Sequence, residues 1–235
     1  MNIIDYGILT VLALSTVVGM YQGFVVAVLN IAAFFVSWLA AFLFYPVVSK
    51  MLQSNTKILP TVLYYTEDPS RIPVIEYRNA DINSLPGGKI GEIIENANLP
   101  IPFDSLLRNN IAEQVFNTGG QNTLLDYFNL TITNIIINII SFLLLYFIVR
   151  FVLSLVISLT NYIVRLPVLK QFDSLLGGCF GFLRGIFIVF ILFALVPVVI
   201  AVLPLDFLND YLEESLFASF FYKSNIITNI IKGVI

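Results

Sequence analysis

Four long runs of apolar residues constrain this chain more than any other feature. They cover residues 3–20, 24–45, 132–155 and 185–203. An α-helix rises about 1.5 Å per residue, so roughly 20 apolar residues cross a hydrocarbon core about 30 Å thick. Charged residues make up 11% of the chain, against roughly 25% in soluble domains. We therefore predict an all-α polytopic membrane protein with about four transmembrane helices, whose first partner is the lipid bilayer.

The apolar runs fall into two helical hairpins with a more polar insertion between the second and third spans. The insertion carries most of the acidic residues and several turn signals, which indicates an extramembrane segment. Its stretches 91–98 and 105–116 are amphipathic and could pack on each other or lie on the membrane surface. We predict a transmembrane hairpin, the extramembrane insertion, a second transmembrane hairpin and an amphipathic tail at residues 1–46, 47–129, 130–204 and 205–235.

The basic residues near short connections predict the orientation. The connection between the third and fourth spans holds Arg165 and Lys170, with Arg150 and Arg184 on either side. Short loops rich in Lys and Arg stay in the cytoplasm, whereas long loops cross regardless of charge. The sequence thus predicts a cytoplasmic connection here, with both termini and segment 47–129 outside the cytoplasm.

The composition argues against several classes of function. The net charge is −3 and no basic cluster occurs, so nucleic acid is not an expected partner. The chain has no histidine and a single cysteine. A histidine-based triad, a His/Cys zinc site and an internal disulfide are thereby excluded. We expect a protein that is not an enzyme and needs no cofactor.

The densest local pattern is DSLLGGCFGFLRG at residues 173–185. Gly177, Gly181 and Gly185 recur every four residues, so on a helix they form a smooth stripe that another helix can approach closely. A flexible gate or a re-entrant element is the alternative interpretation. Cys179 within this pattern is interpreted as a small residue that suits tight packing.

Four charged residues near the spans could carry a mechanism. On a continuous helix Asp173 and Arg184 would lie roughly 16 Å apart along the axis, too far to pair. Arg184 could reach the headgroups or make a polar contact that sets helix register. Arg150 is either a functional intramembrane charge or a marker of the membrane boundary. Asp5, near the outer end of the first span, is expected to remain hydrated as a boundary marker.

Two further motifs accompany the pattern at 173–185, namely IDY at 4–6 and GMYQGFV at 19–25. In these places the sequence resembles the colicin V production protein (CvpA) family of bacterial inner-membrane proteins. The resemblance covers the four spans but not segment 47–129 or the tail. Family members often have arginines where this chain has Tyr21 and Gln22. The residues that match the family pattern are Asp5, Gly19, Gly23, Asp173, Gly177, Gly181, Arg184 and Gly185.

The resemblance implies a non-enzymatic protein of the bacterial cytoplasmic membrane, linked to production or export of the toxin colicin V and to envelope homeostasis. A membrane scaffold or accessory factor is the leading hypothesis, with a membrane-protein partner or a second copy of the chain. One alternative is a small channel or transporter with Arg150 and Arg184 in a polar path. Another is a membrane-anchored sensor with an outward binding segment.

Overall fold

The computed structural model describes residues 1–81, 84–85, 87–97, 99, 103–112, 123–160, 170–202, 210–212 and 214–225. A short 3₁₀ helix, Pro69–Arg71, accompanies the α-helices of these residues. In chain order the α-helices are α1 Ile3–Gln22, α2 Phe24–Gln53, α3 Ile58–Thr66, α4 Ile75–Arg78, α5 Gly87–Asn96, α6 Phe103–Ala112, α7 Leu124–Thr160, α8 Lys170–Ala194, α9 Val196–Val202 and α10 Ala218–Lys223.

Four helical segments are long and apolar enough to cross a membrane. They are Ile3–Gln22, Phe24–Gln53, Leu124–Leu159 and Phe172–Val202. Within the described ranges the structure has no named strand, and an isolated bridge joins Asp81 and Thr123. The prediction of an all-α polytopic membrane protein with four spans is confirmed.

The helices extend beyond the apolar runs that predicted them. α2 continues through Pro46 to Gln53, and membrane helices tolerate an internal proline better than soluble helices do. α7 begins at Leu124, before the expected start of the third span. α8 begins at Lys170, so the whole 173–185 pattern is helical and continuous with the fourth span. A turn at Leu195 separates α8 from α9, the short helix that contains Pro197.

The first compact unit contains residues 1–45 together with the described parts of 141–194 and 205–225. In it α1 packs along α8. The Phe34 ring stacks on Phe187 with centroids 4.5 Å apart and meets Tyr146 edge to face. In the tail, Phe221 of α10 packs against Phe190 at 5.0 Å and Phe193 at 5.9 Å. The described part of the tail therefore packs on α8 through an aromatic face.

The second compact unit contains the described parts of 46–140 and 195–204. The amphipathic helices α5 and α6 pack on each other, which is one of the two arrangements expected for them. Their buried apolar residues are Ile90, Ile93, Ile94, Phe103 and Leu107.

Polar bonds inside the second unit tie the start of α7 to the polypeptide before it. Thr133 and Thr66 share a hydrogen bond of 2.7 Å, and Asn129 accepts one of 3.2 Å from Arg71. Ser49 donates to Asn138. These buried polar partners stabilise the unit because unpaired polar groups are costly away from water.

Candidate functional site

The glycines of the family pattern bring α1 and α8 into backbone contact. Gly19 of α1 faces Gly177 and Gly181 of α8, and a Cβ atom placed on Gly19 would lie 2.7 Å from the Cα of Gly181. A Cβ on Gly181 would lie 2.5 Å from the carbonyl oxygen of Ser15 and 2.9 Å from the Cα of Gly19. These distances are too short for any side chain. The glycines therefore serve close helix contact, as the spacing predicts.

Ser15 and Arg184 form hydrogen bonds across the same contact between α1 and α8. The Ser15 hydroxyl, which is buried, donates a 2.7 Å hydrogen bond to the carbonyl oxygen of Gly181. Arg184 Nε donates to the Ser15 hydroxyl at 3.2 Å, and its Nη2 donates to the Ser15 carbonyl oxygen at 3.4 Å. Of the two roles considered for Arg184, the structure shows the polar contact with another helix.

From Arg184 a chain of polar side chains crosses the unit to Arg150. Arg184 Nη1 donates to Gln22 Oε1 at 3.3 Å, and Asn30 Nδ2 donates to the same oxygen at 3.3 Å. Arg150 Nη2 then donates to Asn30 Oδ1 at 2.8 Å. The chain joins α1, α2, α7 and α8, the four helices that contain the membrane-spanning segments.

Asp173 supports the turn between α1 and α2. Gly23 ends α1 with φ of 81° and ψ of 170°, a conformation that is essentially restricted to glycine. Phe24, the next residue, donates its backbone N–H to Asp173 Oδ1 at 2.8 Å. Asp173 thus satisfies a donor at the start of α2 from a distant helix. It does not pair with Arg184, as the spacing along α8 predicts.

Two other members of the 173–185 pattern differ in their environment. A Cβ on Gly185 would lie 3.1 Å from Ser15 Cβ and 3.2 Å from a methyl group of Leu12, so Gly185 extends the stripe with looser contact. Cys179 is exposed and borders a shallow, mostly apolar groove between α1 and α8. The interpretation of Cys179 as a tightly packed residue is wrong, because it lies beside the stripe.

Asp5 is buried, contrary to the expectation that it remains hydrated. Its side chain is 0% exposed. It accepts hydrogen bonds of 2.6 Å from the Ser215 hydroxyl and 3.1 Å from the Phe217 N–H, as well as one from the Asn2 N–H at 2.9 Å. Asp5 therefore joins the start of α1 to the tail, where Ser215–Phe217 precedes α10.

We expect Asp5→Ala to release the tail. The substitution removes the common acceptor of Ser215 and Phe217, and the buried Ser215 hydroxyl would then lose this acceptor. Trypsin should cleave after the exposed Lys223 on the order of tenfold faster, because cleavage follows the local opening of the tail. Asp126→Ala is the matched control, since Asp126 is also an acidic residue in the first turn of a helix but is exposed. Equal cleavage rates in the two variants would contradict the anchoring role.

The polar partners Ser15, Asn30 and Ser215 were not predicted from the sequence. Asn30 lies inside an otherwise apolar run, and polar residues in membrane helices often bond across helices. That signal could have identified Asn30. Ser15 and Ser215 carry no comparable signal, since small hydroxyl residues are common in both spans and tails.

The four spans and the glycine contact between α1 and α8 define a polytopic helical membrane protein. Across the described ranges, no group of three His, Cys, Asp or Glu side chains could hold a metal ion. The sequence model of the family described as colicin V production protein matches residues 4–75 and 110–225. The chain belongs to this family.

The family match extends further than the motifs that suggested it. It includes residues 47–75, 110–129 and the tail as far as 225, which the resemblance did not cover. The comparison with curated proteins gives no match, and the comparison with solved structures gives none.

Proposed function

We propose that this protein is a non-enzymatic scaffold or accessory factor of the bacterial inner membrane that supports toxin production or export and envelope homeostasis. The observation that carries the proposal is the backbone contact of Gly19 with Gly177 and Gly181. It is supported by membership of the colicin V production family. The partner would be another membrane protein or a second copy of this chain.

The bonding of the charged family-pattern residues supports a structural role. Asp5 bonds the tail, Asp173 bonds the start of α2 and Arg184 bonds α1. Each of these groups therefore helps to set the relative positions of segments within the first unit. An assembly that presents a defined surface to a partner requires such positioning.

The proposal includes an orientation. Both termini and segment 47–129 lie outside the cytoplasm, and the connection between α7 and α8 lies inside it. Arg165 and Lys170 favour this orientation, because short loops that carry basic residues stay on the cytoplasmic side of the membrane. Fusions of a periplasm-active reporter to either terminus would be active, and a fusion within the 161–169 connection would be inactive. The reverse pattern would overturn this orientation.

The proposed function predicts that Gly181→Leu abolishes support of toxin export. A leucine side chain cannot fit between α1 and α8, so the surface offered to a partner would change. In a strain that depends on this protein for secretion of colicin V, the variant should restore at most about a tenth of the wild-type secretion, following a helix separation that costs several kcal/mol. Secreted toxin activity measures the effect, with membrane levels of the protein quantified in parallel.

Gly7→Leu is the matched control, because Gly7 lies on α1 and no described residue of another segment comes within 4 Å of its Cβ position. It should restore wild-type secretion. Wild-type secretion with Gly181→Leu, at equal membrane levels, would refute the proposal.

The polar chain from Arg184 to Arg150 favours a channel or transporter as the second candidate. Two guanidinium groups within spanning helices are a feature of ion or solute paths. Purified protein in liposomes separates the candidates. Ion or solute flux that is lost in both Arg150→Gln and Arg184→Gln would support transport, whereas absence of flux together with a stable co-purifying partner would support the scaffold.

A further inference from the structure

Neither Arg150 nor Arg184 has an acidic partner among the residues that the structure describes. Among the described residues, the ion pairs are formed by other groups, and no carboxylate oxygen lies within 4.0 Å of either guanidinium. Their hydrogen-bond acceptors are neutral groups of Ser15, Gln22 and Asn30. The chain of hydrogen-bonded side chains in the spanning helices thus contains two positive charges, and none of the described residues supplies a negative charge to balance them. Such charges are costly in a membrane unless an anion compensates them.

Within the described ranges, one of these guanidinium groups also has a donor without an acceptor. Arg150 Nη1 is buried and has no hydrogen-bond partner in the part of the chain that the structure describes. A guanidinium group presents several N–H donors in a planar fork that matches the oxygens of a phosphate. The unused donor of Arg150 therefore points to an oxyanion rather than to a neutral ligand.

The polar chain reaches the surface where phosphate groups occur. Gln22, which links the two halves of the chain, is exposed and is the last residue of α1. Because α1 is a single membrane-crossing helix, its end lies at the membrane–water boundary, where the phosphates of lipid headgroups are concentrated. An anion could reach the chain from this boundary without crossing the hydrocarbon core.

We propose that Arg150 and Arg184 together bind a phosphate oxyanion at this end of the first unit. The anion is either the phosphodiester of a phospholipid headgroup or inorganic phosphate, since both present the same oxygens to a guanidinium fork. Binding would offset part of the positive charge of the two arginines and engage the buried Nη1 of Arg150. The proposal does not depend on a role in toxin export, because binding is measured on the isolated protein.

Binding of three probes to the full chain in a neutral detergent tests the proposal. The probes are phosphatidylglycerol, diacylglycerol with the same acyl chains and inorganic phosphate. Native mass spectrometry gives the affinities. If the ligand is a lipid headgroup, phosphatidylglycerol should bind at least about tenfold more tightly than diacylglycerol, and inorganic phosphate should not compete with it. If the ligand is free phosphate, the inorganic ion should bind without any lipid and should displace phosphatidylglycerol. No preference for phosphatidylglycerol together with no binding of inorganic phosphate would overturn the proposal.

Substitutions assign the effect to the two arginines. Arg150→Gln and Arg184→Gln should each weaken binding about tenfold or more, as expected for loss of a charged hydrogen-bonding partner. Lys50→Gln is the control, because Lys50 is an exposed cation on α2. Affinities in both arginine variants that equal the wild type, or an equal loss in Lys50→Gln, would overturn the proposal.

Arg150→Lys keeps the test informative even if Arg150→Gln does not fold. It keeps the positive charge but loses the planar fork, so a folded Lys variant should bind more weakly than wild type and more tightly than Arg150→Gln. Helix content by circular dichroism confirms that the compared variants are folded. If Arg150→Gln is not folded, the Lys variant and Arg184→Gln carry the test, and wild-type affinity in both would refute the site.

Discussion

Gly181→Ala is expected to destabilise the protein by roughly 2–4 kcal/mol, near the upper end of the range for overpacked positions. The added methyl group would lie 2.5 Å from the Ser15 carbonyl oxygen and 2.9 Å from the Cα of Gly19. Both neighbours are backbone atoms, so relief requires α1 and α8 to separate. Separation also lengthens the 2.7 Å hydrogen bond from Ser15 to the Gly181 carbonyl. Reversible unfolding in mixed micelles, followed by circular dichroism, measures the loss.

The control for this prediction is Gly7→Ala, because Gly7 lies on α1, one of the two helices in this contact. Apart from its own helix backbone and chain neighbours, no described atom lies within 4 Å of the Cβ position of Gly7, and alanine has the higher helix propensity by about 1 kcal/mol. This variant should therefore be as stable as the wild type or slightly more stable. Similar stability of Gly181→Ala and Gly7→Ala would show that α1 and α8 do not approach as closely as the structure indicates.

The four spans and the glycine stripe could be predicted because each depends on local patterns. An apolar run long enough to cross a bilayer has few other stable environments. Gly177, Gly181 and Gly185 share a helix face wherever that helix lies. The partner of the stripe could not be predicted in the same way, since the position of Gly19 depends on packing between segments far apart in the chain.

The environment of Asp5 shows the limit of sequence-based prediction most clearly. A carboxylate near the end of a span can be stabilised by water or by protein donors, and the local sequence is the same in both cases. The donors that decide the outcome belong to Ser215–Phe217, some two hundred residues away. The start of α7 differs from the prediction for a related reason, because the N–H of Leu124 donates a 3.0 Å hydrogen bond to the carbonyl oxygen of Ala80, a residue outside that helix.

Gly23→Ala is expected to have a second large effect, roughly 3–5 kcal/mol of lost stability. Alanine at φ of 81° and ψ of 170° would be strained by about 1–3 kcal/mol. Its Cβ would also lie 3.0 Å from the Cγ of Asp173 and closer still to Oδ2. The Asp173 carboxylate would have to move away from the Phe24 N–H, a charge-assisted bond worth about 1.5–3 kcal/mol. Unfolding in mixed micelles measures the change.

A double-mutant cycle separates the two causes, because only the second depends on Asp173. If Gly23→Ala acts partly by displacing the carboxylate, Asp173→Ala should cost less in the Gly23→Ala background than in the wild type. Strain at Gly23 alone would make the two costs equal. Gly88→Ala should leave stability nearly unchanged, because no other described segment comes within 4 Å of the Cβ position of Gly88. A Gly23→Ala variant as stable as Gly88→Ala would mean that the turn between α1 and α2 does not adopt this conformation, and the role of Asp173 at the start of α2 would have to be abandoned.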